Sequence, residues 1–336
     1  MKTLARALAA LLALSPAAAR AADDGFYRDR AIELYIPTTA GGSFDLYGRL
    51  VARHLGKHLP GGPNIVVRNM PGASGFALTN WLYAVAARDG SVFGVAPPQI
   101  ALHQAMGLDG VRYDARRFNW LFRAAPVDEA SYVWHASPTQ SIADARGRET
   151  IIGAAGPGSG GAVYARQMNA MLGTKFRLVL GYPGSTEIQI AMERGEVEGT
   201  MKPWASLKVE NGDWLRDRKV KVIAQSGRAR GRELPDAPTF AELATNDLDR
   251  RAFGFMTSVP SIGRSLLAPP GVPPERVETL RAAFMKMAAD PAFVGDAAAQ
   301  LLELGPLDGA SLQALADETF SHAPDAVARA KATSGL

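Results

Sequence analysis

The stretch IELYIPTTAGGSFD, residues 32–45, decides the fold, because it joins an apolar strand to a helix through a glycine loop. Residues 32–36 are predicted to form a buried strand that ends at Pro37, and a helix is predicted from residue 45 to about residue 58. The apolar residues of that helix fall on one face: Leu46, Leu50, Val51 and Leu55. A strand, a tight loop and an amphipathic helix form the first half of a βαβ unit.

The order of strand, glycine loop and helix recurs along the chain. In the first half, strands are predicted at residues 65–69 and 92–95, with a loop at 70–75 and a helix at 76–87 between them. In the second half, the predicted elements are strands at 150–154 and 176–180, loops at 156–161 and 182–186, helices at 162–172 and 187–194, further strands at 198–201, 221–224 and 253–256, and a helix at 275–288. This repetition predicts an α/β protein with two lobes, each built on a parallel sheet with right-handed crossovers.

The first 22 residues have the features of a secretory signal peptide. Lys2 and Arg6 precede the apolar run 7–14, and the small residues that end in Ala21 and Ala22 provide an A-x-A cleavage site. The apolar run is about half of the ~20 residues that span a bilayer, so a retained membrane anchor is not expected. We expect cleavage near Ala21 or Ala22 and a mature protein in the periplasm.

Size and composition favour a globular protein of two domains. Removal of 22 residues from 336 leaves 314, more than one core usually holds, and the chain has 47% apolar residues, 21% charged residues and no cysteine. We predict a first lobe from residues 24–124 plus 253–336 and a second lobe from residues 125–252. The net charge of +4 falls to +1 when Lys2, Arg6 and Arg20 are removed. Without a basic cluster, nucleic acid is not an expected partner.

Four loops rich in glycine and hydroxyl residues are the candidate binding elements: residues 39–43, 71–75, 156–161 and 182–186. In parallel α/β sheets, such loops follow the carboxyl ends of the strands, where ligands bind. Glycine allows backbone N–H groups to approach a ligand, and a helix N-terminus favours a nearby anion by about 0.3–1 kcal/mol. Two such loops in each lobe predict a site that holds a small carboxylate from both sides. Each loop taken singly is also explained as a tight βα turn.

Individual side chains near these loops have alternative interpretations. Ser43 is predicted mainly as the N-cap of the first helix, with direct ligand contact as the second possibility. Asp45 complements the dipole of that helix and would repel an anion, so we expect it to orient backbone or to bind a ligand hydroxyl or ammonium. Tyr182 and Trp204 are candidates for stacking on a planar ligand, or else for core or rim positions.

The enzyme motifs are incomplete, so we expect a protein without catalytic residues, cofactor or metal. Residues 156–161 fit G-x-G-x-x-G, but residues 176–182 hold no acid to bind a ribose, as dinucleotide sites require. Pro157 stands where a G-x-S-x-G nucleophile turn needs glycine. His54 and His58 lack the glutamate of H-E-x-x-H and are interpreted as solvated helix residues.

Five segments, in order along the chain, match the motifs of a known family. They are residues 36–49, which resemble V-P-x-x-P-G-G-x-x-D…R, residues 69–75, which resemble N-x-P-G-A-G-G, and residues 89–95, 182–198 and 268–273. On these residues the chain resembles the substrate-binding proteins of tripartite tricarboxylate transporters, the family named after the Bordetella uptake genes. The resemblance implies a periplasmic binding protein-like (type II) Venus flytrap, with two α/β lobes joined by two crossing segments. It also implies capture of a small organic carboxylate and its delivery to the membrane subunits of a transporter.

The resemblance further implies which residues hold the ligand. These are Thr39, Gly41, Gly42, Ser43, Asp45, Pro71, Gly72, Ala73, Ser74 and Gly75 in the first lobe, and Gly158, Ser159, Gly160, Tyr182, Gly184, Ser185 and Thr186 in the second. Ala40, Ser74, Glu198 and residues 202–204 depart from the family pattern and leave the identity of the carboxylate open. We expect a monomer. The alternative functions are a ligand-sensing module that docks on a membrane sensor and a secreted enzyme on the same lobes.

Overall fold

The computed structural model describes residues 25–157 and 159–336. Gly158 and the predicted signal peptide at residues 1–22 lie outside the described residues. None of the described helices combines the length and the apolar character that crossing a membrane requires.

Strands and helices alternate along most of the chain. The strands are β1 (Ala31–Ile36), β2 (Asn64–Asn69), β3 (Val92–Ala96), β4 (Asn119–Arg123), β5 (Glu129–Trp134), β6 (Glu149–Gly153), β7 (Lys175–Val179), β8 (Gly199–Pro203), β9 (Val220–Gln225), β10 (Ser265–Ala268) and β11 (Leu307–Asp308). The helices are α1 (Ser43–Leu55), α2 (Phe76–Ala84), α3 (Ile100–Ala105), α4 (Ile142–Gly147), α5 (Gly160–Leu172), α6 (Ser185–Glu193), α7 (Trp204–Glu210), α8 (Gly212–Arg216), α9 (Phe240–Leu243), α10 (Asp247–Met256), α11 (Ser258–Ile262), α12 (Pro274–Ala288), α13 (Pro291–Ala299), α14 (Gly309–Thr319) and α15 (Pro324–Ser334). Each strand predicted between residues 32 and 224 is present within two residues of its predicted ends.

The first lobe is built on a sheet with the strand order β11-β4-β10-β3-β1-β2. β1 pairs in parallel with β2 and β3, as predicted. β10 is antiparallel to β3 and β4, and β11 is antiparallel to β4. The sheet is therefore mixed, which corrects the prediction of a purely parallel sheet. The reason is that β10 arrives from the other lobe, and not through the helical crossover that joins parallel neighbours.

The core of the first lobe fixes the loop between β1 and α1. Ile32, Leu34 and Ile36 are fully buried on one face of β1, and they belong to the same core cluster as Leu50 and Val51 of α1. Burial of each such side chain contributes about 1.5–3 kcal/mol. Because both elements are anchored in this way, the loop between them has a defined position at the carboxyl end of the sheet.

The second lobe has a smaller sheet with the strand order β7-β6-β8-β5-β9. β6 pairs in parallel with β7 and β8, whereas β5 is antiparallel to β8 and β9. Helix α5 packs on this sheet, and its Met168 and Ala165 are fully buried. The second sheet is therefore also mixed, with its parallel part where the strand-loop-helix pattern predicted it.

The chain passes between the two sheets twice, once from β4 to β5 and once from β9 to β10. The two passages meet side by side. The N–H of Ala124 donates to the carbonyl of Arg264 at 2.8 Å, and the N–H of Arg264 donates to the carbonyl of Ala125 at 2.7 Å. This arrangement agrees with the two crossing segments that the family resemblance implied, and it places Arg264 between the lobes.

The predicted strand at residues 253–256 is wrong, because these residues form the last turn of α10. Asn246 caps this helix, and its side chain accepts a hydrogen bond from the N–H of Asp249 at 2.9 Å. Phe253 and Phe255 are buried in the second-lobe core. A short apolar run carries no periodicity that separates a buried strand from a buried helix, so the sequence pattern was ambiguous here.

The last helix packs away from the helices that precede it. α12 and α14 pack against β4 of the first sheet, whereas α15 packs against α5 and α10. The Nε of Arg329 in α15 donates to Asp249 in α10 at 2.7 Å. The lobe ranges 24–124 plus 253–336 and 125–252 stay a prediction, and this packing favours placing residues 324–334 with the second lobe.

Candidate ligand-binding site

Two adjoining cavities lie between the lobes. The hinge cavity, of about 460 Å³, lies beside the crossing segments, and its walls include Pro126 and Asp128. The loop cavity, of about 520 Å³, has walls that include Phe44 and Phe76. Both volumes are typical of small-molecule sites. The two cavities share wall residues from both lobes: Ser43, Val127, Ser185, Pro203, Ser206, Glu210 and Arg264.

The loop between β1 and α1 presents backbone to these cavities. Gly41 and Gly42 line the hinge cavity, and Ser43 lines both cavities. Gly42 caps α1 without a side-chain hydrogen bond. The N-terminus of this helix, whose first N–H groups carry partial positive charge, therefore lies at the cavity wall without a capping side chain. Thr39 is exposed and lies outside the cavity walls.

Asp45 orients this loop and does not face the cavities. Its side chain is buried, and its Oδ2 accepts hydrogen bonds from the N–H of Gly41 at 2.9 Å and from Nε of Arg49 at 2.8 Å. Its Oδ1 accepts from Asn69 at the end of β2 at 2.9 Å. Burial raises the pKa of Asp45, but the hydrogen bonds from Arg49, Asn69 and Gly41 outweigh it and lower the pKa below its usual value. The predicted role in orienting backbone is therefore the one that the geometry supports.

Ser43 is not the N-cap of α1, which corrects that prediction. The cap is Gly42, and Ser43 is the first residue of the helix. The Ser43 hydroxyl instead accepts a hydrogen bond from Nη2 of Arg264 at 2.9 Å. This contact joins the β1–α1 loop to the segment that crosses between the lobes.

Arg264 is a buried cation in the cavity walls, and sequence reasoning missed it. The residue is 7% exposed, and its guanidinium carbon lies 4.2 Å from the centroid of the Phe44 ring. In the described part of the chain, no carboxylate lies within 4.0 Å of the guanidinium. Burial lowers the pKa of Arg264 while Tyr47 and Glu129 oppose it, and an arginine nevertheless stays charged. A buried charge without a counterion is unfavourable, so the site is suited to an anionic ligand.

The second loop of the first lobe touches the site through the residue that follows it. Phe76 lines the loop cavity, whereas Pro71, Gly72, Ala73 and Gly75 lie outside the walls of both cavities. Gly72 has a φ of 139° and Gly75 a φ of 95°, backbone angles that favour glycine. A Cβ on Gly75 would also overlap the ring of Pro97. The glycines therefore shape the loop, and its contact with a ligand stays a prediction.

The second-lobe loops contribute part of their predicted set. Ser159 and Gly160 line a third cavity of about 180 Å³ on the side of the second sheet, and Ser185 lines all three cavities. The Ser159 hydroxyl caps α5 by accepting from the N–H of Ala162 at 3.4 Å. The Ser185 hydroxyl donates to Glu210 at 3.1 Å. Tyr182, Gly184 and Thr186 lie outside the cavity walls, and Gly158 is outside the described residues.

Lys202 and Glu210 form an ion pair in the wall between the cavities. The Nζ of Lys202, a residue that is 7% exposed, lies 2.5 Å from Oε2 of Glu210. The same oxygen also accepts from Gln189 at 3.0 Å. The two charges compensate each other. A signal for this pair was present in the sequence, because residues 202–204 depart from the family pattern.

Glu129 is an acid with one unsatisfied oxygen in the same wall. It lines the loop cavity and the third cavity, and its Oε2 is buried with no hydrogen-bond partner among the described residues. Burial raises the pKa of Glu129 to about 7, although Arg264 and Lys202 lower it. This carboxyl group therefore changes its charge near neutral pH.

The aromatic and histidine candidates lie at the margins of the site. Trp204 lines the hinge cavity, and its Nε1 donates to Glu233 at 2.6 Å. Its stacking on a ligand stays a prediction, as does that of Tyr182. The prediction that His54 and His58 are solvated is wrong, since they are half-buried and contact aspartates of the α12–α13 region at 2.8 and 3.0 Å. Within residues 25–157 and 159–336, no three metal-ligating side chains are grouped to hold an ion.

Comparison with known proteins finds similar sequences and similar folds. No protein-family model matches the chain. A UPF0065 protein from the gbd 5' region of Cupriavidus necator is 29% identical over 293 residues, which cover 84% of this chain and 81% of the relative. A TctC solute-binding protein from Polaromonas has a TM-score of 0.68 at 23% identity and covers 90% of this chain and 99% of its own. An R. palustris protein solved with adipate has a TM-score of 0.64 at 23% identity, over 90% of this chain and 97% of its own.

The solved neighbours and the curated relative indicate a resemblance to the same group of proteins. The neighbours share the two α/β lobes with mixed sheets, which confirms the periplasmic binding protein-like fold. The curated relative matches along most of both chains. Sequence and structure comparisons together confirm that this chain resembles the solute-binding proteins of tripartite tricarboxylate transporters and of the Bordetella uptake genes.

Proposed function

We propose that this protein is a periplasmic solute-binding protein that captures a small organic carboxylate and delivers it to the membrane subunits of a tripartite tricarboxylate-type transporter. The observation that carries the proposal is the unpaired guanidinium of Arg264 in the wall shared by both cavities. It lies against Ser43, where the N-terminus of α1 adds backbone N–H donors. A carboxylate placed there neutralises the buried charge and accepts charge-assisted hydrogen bonds of about 1.5–3 kcal/mol each.

The site couples binding to closure of the lobes, because its walls come from both of them. Ser43 belongs to the first lobe, whereas Ser185 and Glu210 belong to the second. A ligand that contacts both walls favours the closed arrangement over the open one. Micromolar affinity corresponds to about −8 kcal/mol, which a few charge-assisted bonds supply after the ordering costs of binding.

The similar proteins support a role in binding without chemistry. The neighbours are solute-binding proteins, and two of them were solved with carboxylates, adipate in one and malate in the other. We infer that this chain also binds and releases its ligand unchanged, as a monomer in the periplasm after removal of its signal peptide.

A thermal-shift screen tests the proposed function. The panel contains di- and tricarboxylates, aromatic acids and amino acids, each paired as a control with the amide that replaces its carboxylate. Ligand at 100 times its Kd stabilises the folded state by about 2.7 kcal/mol, so we expect at least one acid to raise the melting temperature by about 5 °C or more. The amides should have no effect. A panel in which no acid raises the melting temperature contradicts the proposal.

An ion pair across the cleft offers a second test, of closure. Lys208 in α7 forms an ion pair with Glu303, which precedes β11 in the first lobe, and it lies 2.6 Å from Glu233 in its own lobe. Because Lys208 and Glu303 are 27% and 36% exposed, their pair contributes about 0.4–1 kcal/mol. We therefore expect Glu303→Gln to weaken ligand binding about two- to fivefold in a calorimetric titration. Glu233→Gln is the control, and equal losses in the two variants would show that the interlobe contact does not favour closure.

A further inference from the structure

The charged side chains in the cavity walls differ in whether they make an ion pair. Two ion pairs compensate each other: Lys202 with Glu210, and Lys208 with Glu303. The other charged wall residues are Asp128, which lines only the hinge cavity, and Arg264 and Glu129. In the described part of the chain none of these three makes an ion pair within 4.0 Å, and Arg264 and Glu129 both line the loop cavity. One cavity therefore contains a cation and an acid that attract each other at longer range but have no partner of opposite charge within 4.0 Å among the described residues.

We propose that Glu129 is a specificity-determining residue that binds an ammonium group, and that the ligand is a small zwitterion with its carboxylate on Arg264. This inference rests on the proposed function and names the class of ligand. A zwitterion would give each of these two groups an oppositely charged partner at hydrogen-bonding distance. A dicarboxylate would instead bring a second anion towards the Glu129 carboxyl group, which like-charge repulsion disfavours.

The surroundings of Glu129 support a donor group on the ligand. Its Oε2 is buried without a hydrogen-bond partner among the described residues, and such an unmet acceptor costs about 1–3 kcal/mol. An ammonium group supplies the missing donor. The remaining wall of the loop cavity is largely apolar and suits the carbon skeleton between the two charged ends: Phe44, Phe76, Leu102, Val163, Met256 and Val259.

The ionisation of Glu129 gives the binding a defined pH dependence. Burial raises its pKa to about 7, so the carboxyl group is about one-tenth ionised at pH 6 and about nine-tenths ionised at pH 8. The other groups that face it are Asp128, Lys202, Arg264, Tyr132 and Tyr164, and burial moves the pKa of both phenols upward, away from neutrality. An ammonium ligand competes with the proton for Glu129. Its affinity should therefore increase about tenfold from pH 6 to pH 8 and be lost as the pH falls.

The experiment compares matched acids with and without an amine by isothermal titration. The pairs are aspartate and succinate, glutamate and glutarate, 6-aminohexanoate and hexanoate, and phenylalanine and phenylpropionate. For at least one pair, we expect the amine-bearing member to bind the wild-type protein at least about tenfold tighter. Glu129→Gln should reduce that preference to less than about threefold. The control Glu196→Gln, a carboxyl that is 54% exposed and outside the cavity walls, should retain it.

Four results would overturn the inference. If the acids without an amine bind as tightly as their partners in every pair, Glu129 does not bind an ammonium group. The proposed function would still stand. If Glu129→Gln folds and retains the preference for the amine-bearing acid, another residue binds the amine. If neither class of acid binds, the proposed function fails as well. The pH titration of the wild-type protein needs no variant, and an affinity that is constant or decreases from pH 6 to pH 8 also contradicts the inference.

Discussion

Replacement of Arg264 by methionine is expected to weaken ligand binding by about 100-fold. The guanidinium is buried, bonds to Ser43 and faces both cavities without a carboxylate partner in the described residues. A ligand carboxylate that accepts two charge-assisted hydrogen bonds from it would lose about 3 kcal/mol, at 1.4 kcal/mol for each factor of ten. Methionine keeps an unbranched apolar side chain against Phe44, so the loss measures the charge. Isothermal titration with an acid selected by thermal shift gives the ratio of Kd values.

Stability measurements separate this effect from a folding defect. A buried charge that lacks a counterion contributes little to the stability of the ligand-free protein, so Arg264→Met should change its unfolding free energy by no more than about 1 kcal/mol. Arg177→Gln is the matched control, because Arg177 is 50% exposed and pairs with Glu149 at 2.8 Å on the surface. This control should bind as the wild type does. If Arg264→Met bound the acid as tightly as the wild type does, Arg264 would not be a ligand-binding residue.

Most of the fold could be predicted because its signals are local. The strand at residues 32–36 is followed directly by its glycine loop and its helix, so the periodicity of apolar residues was sufficient. β10 and the antiparallel partners of β5 could not be predicted in this way. Their neighbours in the sheets lie far away along the chain, and no short-range pattern reports such pairings. The run at residues 253–256 failed for a related reason, since four apolar residues have no measurable period.

The candidate site was predictable where backbone forms it and not where side chains do. Glycine loops are recognisable in the sequence, and Gly41, Gly42 and Gly160 do line the cavities. Arg264 and Glu129 are single charged residues without a motif, and the two passages between the lobes bring them to one cavity. One signal for Arg264 was available. It is the one charged residue between residues 252 and 274, and a charge in such an apolar stretch indicates a buried group that needs a partner.

Replacement of Gly263 by alanine is expected to destabilise the protein by about 3 kcal/mol or more. Gly263 has a φ of 56° and a ψ of −135°, which side chains other than hydrogen rarely allow. A Cβ there would also overlap the carbonyl of Ala125 and would lie 2.8 Å from Cα of Pro126. Both neighbours are backbone atoms of the other crossing segment and cannot rotate away. The melting temperature should therefore fall by about 6 °C or more.

The same glycine positions the cation of the site, so Gly263→Ala should also impair binding in the fraction that folds. Arg264 follows it directly and is held by hydrogen bonds of 2.7 and 2.8 Å to the segment at Ala124 and Ala125. To accommodate a methyl group, the two crossing segments must separate, and the guanidinium must move with them. Gly254→Ala in α10 is the control, because a Cβ there meets nothing within 4 Å and alanine favours a helix by about 0.5–1 kcal/mol. If Gly263→Ala melted and bound as the control does, close contact between the crossing segments would not be what places Arg264.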